Sequence, residues 1–182
     1  YPELAGICLS APAIGLRMNP KRILEMKLAS RIPKFLQSFQ VPTGLSPDDL
    51  SHDRAEVQAY VDDPLVHRWI TPAAFVAIEK GIQSLPKIVG QLDLSLLFLL
   101  SGKDKVVDTS AADAFAKKVA VARPGRVEIR VFHTFFHEPF HETKRDRAYF
   151  ELKKWITKCL TPLKKNSSKS SVSEVTEKAT LH

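Results

Sequence analysis

The sequence predicts an α/β fold in which a mostly parallel sheet is connected by crossover helices. Two short, strongly apolar runs, LAGICLSAP at 4–12 and LSLLFLLSG at 94–102, are typical of strands that are buried on both faces. A third run, GRVEIRVFH at 125–133, alternates apolar with charged residues, which predicts a strand with one more polar face. Helical patterns lie between and after these runs, and this alternation favours parallel pairing.

A long helical region separates the first two strands. An Asn-Pro pair at 19–20 predicts a helix start, because Asn caps helices well and Pro suits the first helical position. The polar stretch that follows contains a short helical pattern at 54–60, and a Thr-Pro pair at 71–72 repeats the start signal. The apolar residues of the two outer helices recur at helical spacing and include Ile23, Leu24, Leu28, Phe75 and Ile78.

Two further helices follow the second and third strands. The segment TSAADAFAKKVA is typical of a helix that is capped by Asp108 or Thr109, and DRAYFELKKWITKCL at 146–160 is amphipathic. Residues 163–182 are rich in Ser and Lys and poor in large apolar side chains. Burial cannot offset the ordering entropy of such a segment, which predicts a disordered tail.

Composition limits the classes of function. The 182 residues suffice for one domain with its own core, and the apolar run at 92–100 is far shorter than the roughly 18–20 residues that span a bilayer. The net charge of +7 lies partly in the tail, and the other basic residues are not interleaved with aromatic ones, so no nucleic-acid partner is expected. Cys8 and Cys159 form no CxxC or Cys/His cluster, which predicts neither a disulfide framework nor a metal site.

Polar residues with catalytic potential follow the second and third strands. Asp104 comes directly after one strand, in LLSGKDKVVD, and His133, His137 and His141 come after the next, in VFHTFFHEPFHE. Since neighbouring parallel strands lie about 4.8 Å apart, an Asp and a His on successive strand-end loops can meet. The Asp would accept a hydrogen bond from one imidazole nitrogen, which leaves the other nitrogen free to take a proton from a serine hydroxyl.

Each of these residues also has an ordinary structural interpretation. Asp104 suits the turn GKDK, where Asp bonds to nearby backbone amides, and Asp108 is better explained as a helix cap than as a catalytic acid. His133 fits a buried strand end, and His141 fits a surface position. The pairing of an Asp with a His, and their order along the chain, therefore carries more weight than either residue alone.

Four segments, spread over residues 1–160, match the pattern of one known family. They are LAGICLSAPAIG, LSHDRAEVQAYVDDPLVHRWITPAAF, LLSGKDKVVD and FFHEPFHE. In them the chain resembles the C-terminal part of the α/β-hydrolases of the monoacylglycerol lipase and lysophospholipase group, the serine aminopeptidase-like hydrolases. The first segment is similar to the strand and turn after the nucleophile, and the second to the cap, with its Asp-Pro-Leu at 63–65 and Thr71. The third resembles the turn that carries the triad acid, and the fourth the box that carries the catalytic histidine.

The resemblance implies a serine hydrolase of carboxylic esters, such as monoacylglycerols or lysophospholipids, that requires no metal or organic cofactor. Asp104 would be the triad acid and His137 the base, while Glu138 and Glu142 would orient the loop that carries the base. The family box usually has Asn where this chain has His141, so His141 is the alternative base.

The nucleophile of such an enzyme is expected outside the sequence. No Gly-x-Ser-x-Gly occurs in it, and the family order is serine, acid, histidine. The serine and the oxyanion-hole loop are therefore expected upstream of Tyr1, and the chain is expected to be a fragment that is inactive alone. The alternative is a non-catalytic remnant of a hydrolase fold that acts as a binding or scaffold module.

The resemblance also divides the chain. It implies a core strand and turn at 1–16, a helical cap at 17–88, a C-terminal core with the acid and histidine loops at 89–162, and the tail at 163–182. The expected partners are a lipid or small acyl ester and a membrane surface that is contacted peripherally, and the expected location is cytoplasmic. Acyl-chain contacts are expected from apolar cap residues, although cap packing is the commoner role for them: Ile23, Leu24, Leu28, Phe75 and Ile78.

Overall fold

The computed structural model describes residues 4–17, 20–29, 31, 33, 39–88 and 94–177. Strands and helices alternate along these residues. In chain order they are β1 (Gly6–Ser10), α1 (Pro20–Ala29), β2 (Val41–Pro42), a 3-10 turn (Pro47–Asp49), α2 (Arg54–Asp62), β3 (Trp69–Ile70), α3 (Pro72–Ile88), β4 (Ser95–Ser101), α4 (Thr109–Ala122), β5 (Val127–Phe132), a second 3-10 turn (Pro139–His141) and α5 (Asp146–Glu177).

The main sheet confirms the predicted α/β fold with parallel strands. Strand β4 lies in the centre, and β1 and β5 pair parallel to it on either side. Leu96 of β4 is in register with Ile7 of β1 and with Val127 of β5. Because the strands run in the same direction, their carboxyl ends share one edge of the sheet, and the loops that leave β4 and β5 emerge side by side.

The core lies on both faces of β4. Alternate side chains of a strand point to opposite faces of the sheet. One face carries Leu96, Phe98 and Leu100 and packs on helix α4. The other face carries Leu97 and Leu99 and packs on helix α5 and on the loop after β5. This two-sided burial explains why the β4 sequence is a nearly continuous apolar run.

The helix starts agree with the capping signals of the sequence. Helix α1 begins at Pro20 and helix α3 at Pro72, as the two start signals predict. Asn19, the predicted cap of α1, lies outside the described residues. Asp108 rather than Thr109 caps α4, because its side chain accepts hydrogen bonds from the amides two and three residues further on, at 2.9 and 3.2 Å.

Helix α5 extends to Glu177 and therefore includes residues 163–177, where composition predicts disorder. Composition reports on burial, whereas a helix forms its backbone hydrogen bonds within itself and needs no core for them. Residues 178–182 of the predicted tail lie outside the described part. Within the described ranges, none of the helices combines the length and the apolarity that crossing a membrane requires.

Ion pairs connect strand β5 to helix α5. Arg130 donates hydrogen bonds to Glu128 at 2.7 Å and to Glu151 at 2.6 Å, and Lys158 donates to Glu128 at 2.7 Å. The hydrogen bond from Lys158 lowers the pKa of Glu128, and the hydrogen bond to Glu151 raises the pKa of Arg130. Both shifts favour the charged forms, and the network holds α5 beside the strand that leads to the histidine loop.

Candidate active site

Asp104 lies in the loop after β4, and its side chain is 0% exposed. Its Oδ1 accepts hydrogen bonds from the backbone amides of Val106 at 2.8 Å and Val107 at 2.9 Å, which close the turn. Its Oδ2 lies next to the imidazole of His137. The sequence allows two interpretations of Asp104, a turn residue and a partner for histidine. The carboxylate has both roles, because Oδ1 closes the turn and Oδ2 contacts the histidine.

His137 lies in the loop after β5, and its Nδ1 is 2.8 Å from Oδ2 of Asp104. Because an ionised carboxylate can only accept hydrogen bonds, Nδ1 of His137 is the donor in this contact, and in the neutral imidazole Nε2 then has a free lone pair. The imidazole is 21% exposed, so it remains accessible at the strand-end edge of the sheet. An imidazole that is held by a buried carboxylate in this way is oriented to take a proton through Nε2.

The other two histidines of the loop region are placed differently. His141 pairs with Glu138 through an Nδ1–Oε2 contact of 2.7 Å, and its side chain is 53% exposed. His133 is exposed at the end of β5, not buried as the sequence suggested. Of the three histidines that the sequence singles out, His137 is therefore the one that the structure brings to Asp104.

The pairing of His52 with Glu142 is absent from the predictions made on the sequence. His52 Nδ1 lies 2.8 Å from Oε1 of Glu142, although 90 positions separate the two residues. Glu142 was expected to orient the histidine loop, but its partner was not foreseen. No motif around His52 or Glu142 in the sequence indicates this contact.

Gly102 sits where the loops of Asp104 and His137 leave the sheet. A Cβ at this position would lie 2.6 Å from Cα and 2.7 Å from the carbonyl oxygen of His133. Those atoms belong to the backbone, so the ends of β4 and β5 would have to separate. Glycine thus permits the close approach of the two loops.

Gly102→Ala is expected to destabilise the fold by roughly 1–3 kcal/mol, because the added methyl group overpacks two backbones. Urea denaturation followed by circular dichroism measures the change. Gly81→Ala is the matched control, since a Cβ at Gly81 meets nothing within 4 Å in helix α3. There, alanine is expected to stabilise the protein slightly. Equal midpoints for the two variants would contradict the close approach at Gly102.

The cap residues that the sequence proposes for acyl-chain contact divide into two groups. Ile23 and Phe75 line a cavity of about 160 Å³ between helices α1 and α3, and Phe75 is buried. Leu24, Leu28 and Ile78 have exposed side chains, at 58%, 54% and 42%. The same cavity is lined by Gly15 and Leu16, close to Arg17, which donates a hydrogen bond to the backbone carbonyl of Asp104 at 3.1 Å.

Two nucleophilic side chains in the sheet are poorly suited to attack a substrate. Burial raises the pKa of the Cys8 thiol, which disfavours the reactive thiolate. Ser101, at the end of β4, is 1% exposed, so a substrate cannot reach its hydroxyl. Among the described residues there is no group of three His, Cys, Asp or Glu side chains that could hold a metal ion.

A parallel sheet whose successive strand ends carry a buried aspartate and a histidine in contact is typical of the α/β-hydrolases. More specifically, the family model described as serine aminopeptidase, S33, matches residues 1–144, and the chain belongs to this family.

Curated relatives agree with this assignment. The chain is 27% identical over 158 residues to a monoacylglycerol lipase of Mycolicibacterium smegmatis, a match that covers 86% of this chain and 55% of the relative. It is also 27% identical over 150 residues to the phospholipase YtpA of Bacillus subtilis, over 81% of this chain and 56% of the relative. The chain thus spans about half the length of the curated relatives that it matches.

Solved structures share the fold. A crystal structure of a Paleococcus ferrophilus monoacylglycerol lipase superposes with a TM-score of 0.75 at 19% identity, over 87% of this chain and 61% of that one. A soluble variant of the Saccharomyces cerevisiae monoglyceride lipase, solved with a substrate analogue, gives a TM-score of 0.67 at 19% identity, over 85% and 56% of the two chains. At this level of identity the likeness concerns the fold.

Proposed function

We propose that the protein hydrolyses carboxylic esters of the monoacylglycerol or lysophospholipid type through a Ser-Asp-His triad. The observation that carries the proposal is the 2.8 Å contact between Nδ1 of His137 and a carboxylate oxygen of Asp104, whose side chain is fully buried. His137 is the general base and Asp104 the residue that holds its imidazole. The names of the relatives, a monoacylglycerol lipase and a phospholipase, support a lipid ester as substrate.

The attacking serine belongs, in this proposal, to a Gly-x-Ser-x-Gly segment that is encoded ahead of Tyr1. The motif does not occur in the 182 residues, and in the family the serine precedes the acid in the chain. Serine attack on the ester carbonyl gives a tetrahedral intermediate as the serine proton passes to Nε2 of His137. The imidazolium then protonates the alcohol oxygen as its bond to the carbonyl carbon breaks, which releases the alcohol and leaves the acyl-enzyme. Water hydrolyses the acyl-enzyme with the same histidine as base.

The cap supplies the lipid-facing surface in this proposal. Leu24, Leu28 and Ile78 are exposed apolar side chains on helices α1 and α3, which lie beside each other. Such side chains suit acyl chains and the surface of a lipid aggregate, to which a peripheral enzyme binds with its apolar residues. Ile23 and Phe75, which line the cavity between these two helices, suit the buried end of an acyl chain.

A fluorophosphonate probe tests the proposal, because it reacts with a serine only when a base activates the hydroxyl. In the whole protein as the gene encodes it, we expect rapid labelling of one serine, identified by peptide mass spectrometry. Heat-denatured protein is the control and is expected to remain unlabelled. A folded protein that takes up no label would instead support the non-catalytic remnant.

A further inference from the structure

The main chain of the loop that carries His137 forms hydrogen bonds with the segment 47–53 of the cap region. The amide of His137 donates to the carbonyl of Asp49 at 3.3 Å, and the amide of Glu138 donates to the carbonyl of Leu50 at 2.9 Å. The hydroxyl of Ser51 donates to the carbonyl of His141 at 2.7 Å. The backbone position of the histidine therefore depends on a segment almost ninety residues earlier in the chain.

The carboxylate of Glu142 accepts hydrogen bonds from both of these segments. Its side chain is 1% exposed, and a carboxylate in such a place needs several donors. The amide of Phe136 donates to Oε1 at 2.7 Å, and the amide of Thr143 donates to Oε2 at 3.2 Å. The backbone amide of His52 donates to Oε2 at 3.4 Å, and Nδ1 of its ring lies 2.8 Å from Oε1. One buried carboxylate thus joins the histidine loop to the cap segment.

His52 contacts the same loop a second time through its ring. The imidazole stacks on the ring of Phe136 with a centroid separation of 3.7 Å and an interplanar angle of 24°. Phe136 directly precedes His137, so this stack packs His52 against the residue next to the proposed base. Lys105, paired with Asp49 at 2.8 Å, also lies 5.3 Å from the centre of the Phe136 ring.

We propose that Glu142 and His52 are positioning residues for His137. They fix the position of the main chain at Phe136–His137 so that the imidazole can form its hydrogen bond with Asp104. The carboxylate of Asp104 is itself held by two backbone amides. An imidazole has only two side-chain torsions, so a displaced backbone cannot be compensated without loss of the hydrogen bond. This inference rests on the proposed role of His137 as the base.

The experiment combines kinetics with histidine NMR on the whole protein as the gene encodes it. In Glu142→Gln, the NH₂ group of glutamine replaces one acceptor oxygen, so at least one of the hydrogen bonds that Glu142 accepts is lost. We therefore expect kcat for p-nitrophenyl butyrate to fall about tenfold with KM nearly unchanged. The Nδ1 proton of His137, seen in long-range ¹H–¹⁵N spectra, is expected to exchange with water about tenfold faster. A residue that merely stabilises the fold would leave this proton unchanged below the melting temperature.

Two substitutions of His52 separate its two contacts. His52→Phe keeps the stack on Phe136 and removes the donor, whereas His52→Gln keeps a donor for Glu142 and removes the stack. The side chain of His52 is 40% exposed, so both variants are expected to fold. We expect His52→Gln to retain slower proton exchange at His137 than His52→Phe does. His133→Gln, at an exposed histidine, is the matched control and is expected to behave as wild type.

The outcomes are distinct. If Glu142→Gln folds and shows wild-type proton exchange at His137, the positioning role is wrong. If Glu142→Gln does not fold, wild-type exchange in both His52 variants leads to the same conclusion. The exchange measurement needs no turnover, so it decides this point even if the protein proves not to hydrolyse esters. In that case the proposed function fails while the positioning of His137 stands.

Discussion

His137→Ala in the whole protein is expected to lower kcat for ester hydrolysis by about a million-fold, with little change in KM. The imidazole is held by the buried carboxylate of Asp104 at 2.8 Å, and its removal takes away the group that accepts the serine proton. Binding of the ester does not use this proton transfer, so the loss belongs to kcat. Initial rates with p-nitrophenyl butyrate and a short-chain monoacylglycerol measure it, after thermal melting has shown that the variant is folded.

His141→Ala is the matched control for this substitution. His141 lies four residues further on and is the alternative base, but its side chain is 53% exposed and pairs with Glu138. Its contact with Ser51 uses the backbone carbonyl and survives the change to alanine. We expect kcat to stay within about twofold, as for other exposed positions. Loss of turnover in His141→Ala, with His137→Ala still active, would reverse the assignment of the base.

The strands of the main sheet were predictable because burial on both faces leaves a clear trace in the sequence. The run at 94–102 becomes β4 (Ser95–Ser101), whose central side chains are all buried between α4 and α5. By contrast, the pairing of Val41–Pro42 with Trp69–Ile70 was not predicted. Two residues on each side are too few to show any alternation of apolar and polar residues.

Contacts between site residues were predictable from the sequence when they follow from the order of strands in the sheet. Contacts that depend on how loops pack were not predictable. Asp104 and His137 leave neighbouring parallel strands, so their encounter follows from the order of the elements. His52 reaches Glu142 through a segment that crosses over the strand-end loops, and nothing in the local sequence of either residue encodes that path. Glu142 could be expected to orient the loop, but its partner could be named only from coordinates.

Asp104 has two structural roles that its local sequence does not separate. Its position in GKDK suits an ordinary turn, while the longer segment LLSGKDKVVD resembles the family turn that carries the triad acid. The structure shows that the choice was not needed, because Oδ1 closes the turn while Oδ2 faces His137. A residue with two acceptor atoms can serve two partners, and this double use makes the amide substitution at Asp104 informative.

Asp104→Asn is expected to reduce kcat by about 10,000-fold while the fold is retained, the size seen for the equivalent change in a serine protease. Two backbone amides donate to Oδ1, so the oxygen of the asparagine must stay on that side. Its NH₂ group then points at His137 and donates to Nδ1, which forces the proton onto Nε2. An imidazole in this tautomer cannot accept the serine proton. Histidine ¹⁵N shifts report the tautomer directly, and initial rates report its consequence.

Asp108→Asn makes the same chemical change four residues further along the loop. Asp108 caps helix α4 through amides at 2.9 and 3.2 Å, and asparagine caps helices about as well as aspartate does. This variant is therefore expected to keep kcat within about twofold and to leave His137 with its proton on Nδ1. Because both variants lose one negative charge near the same strand end, a difference between them isolates the hydrogen bond to the imidazole from general electrostatics. Equal activity in the two variants would contradict a specific catalytic role for the hydrogen bond between Asp104 and His137.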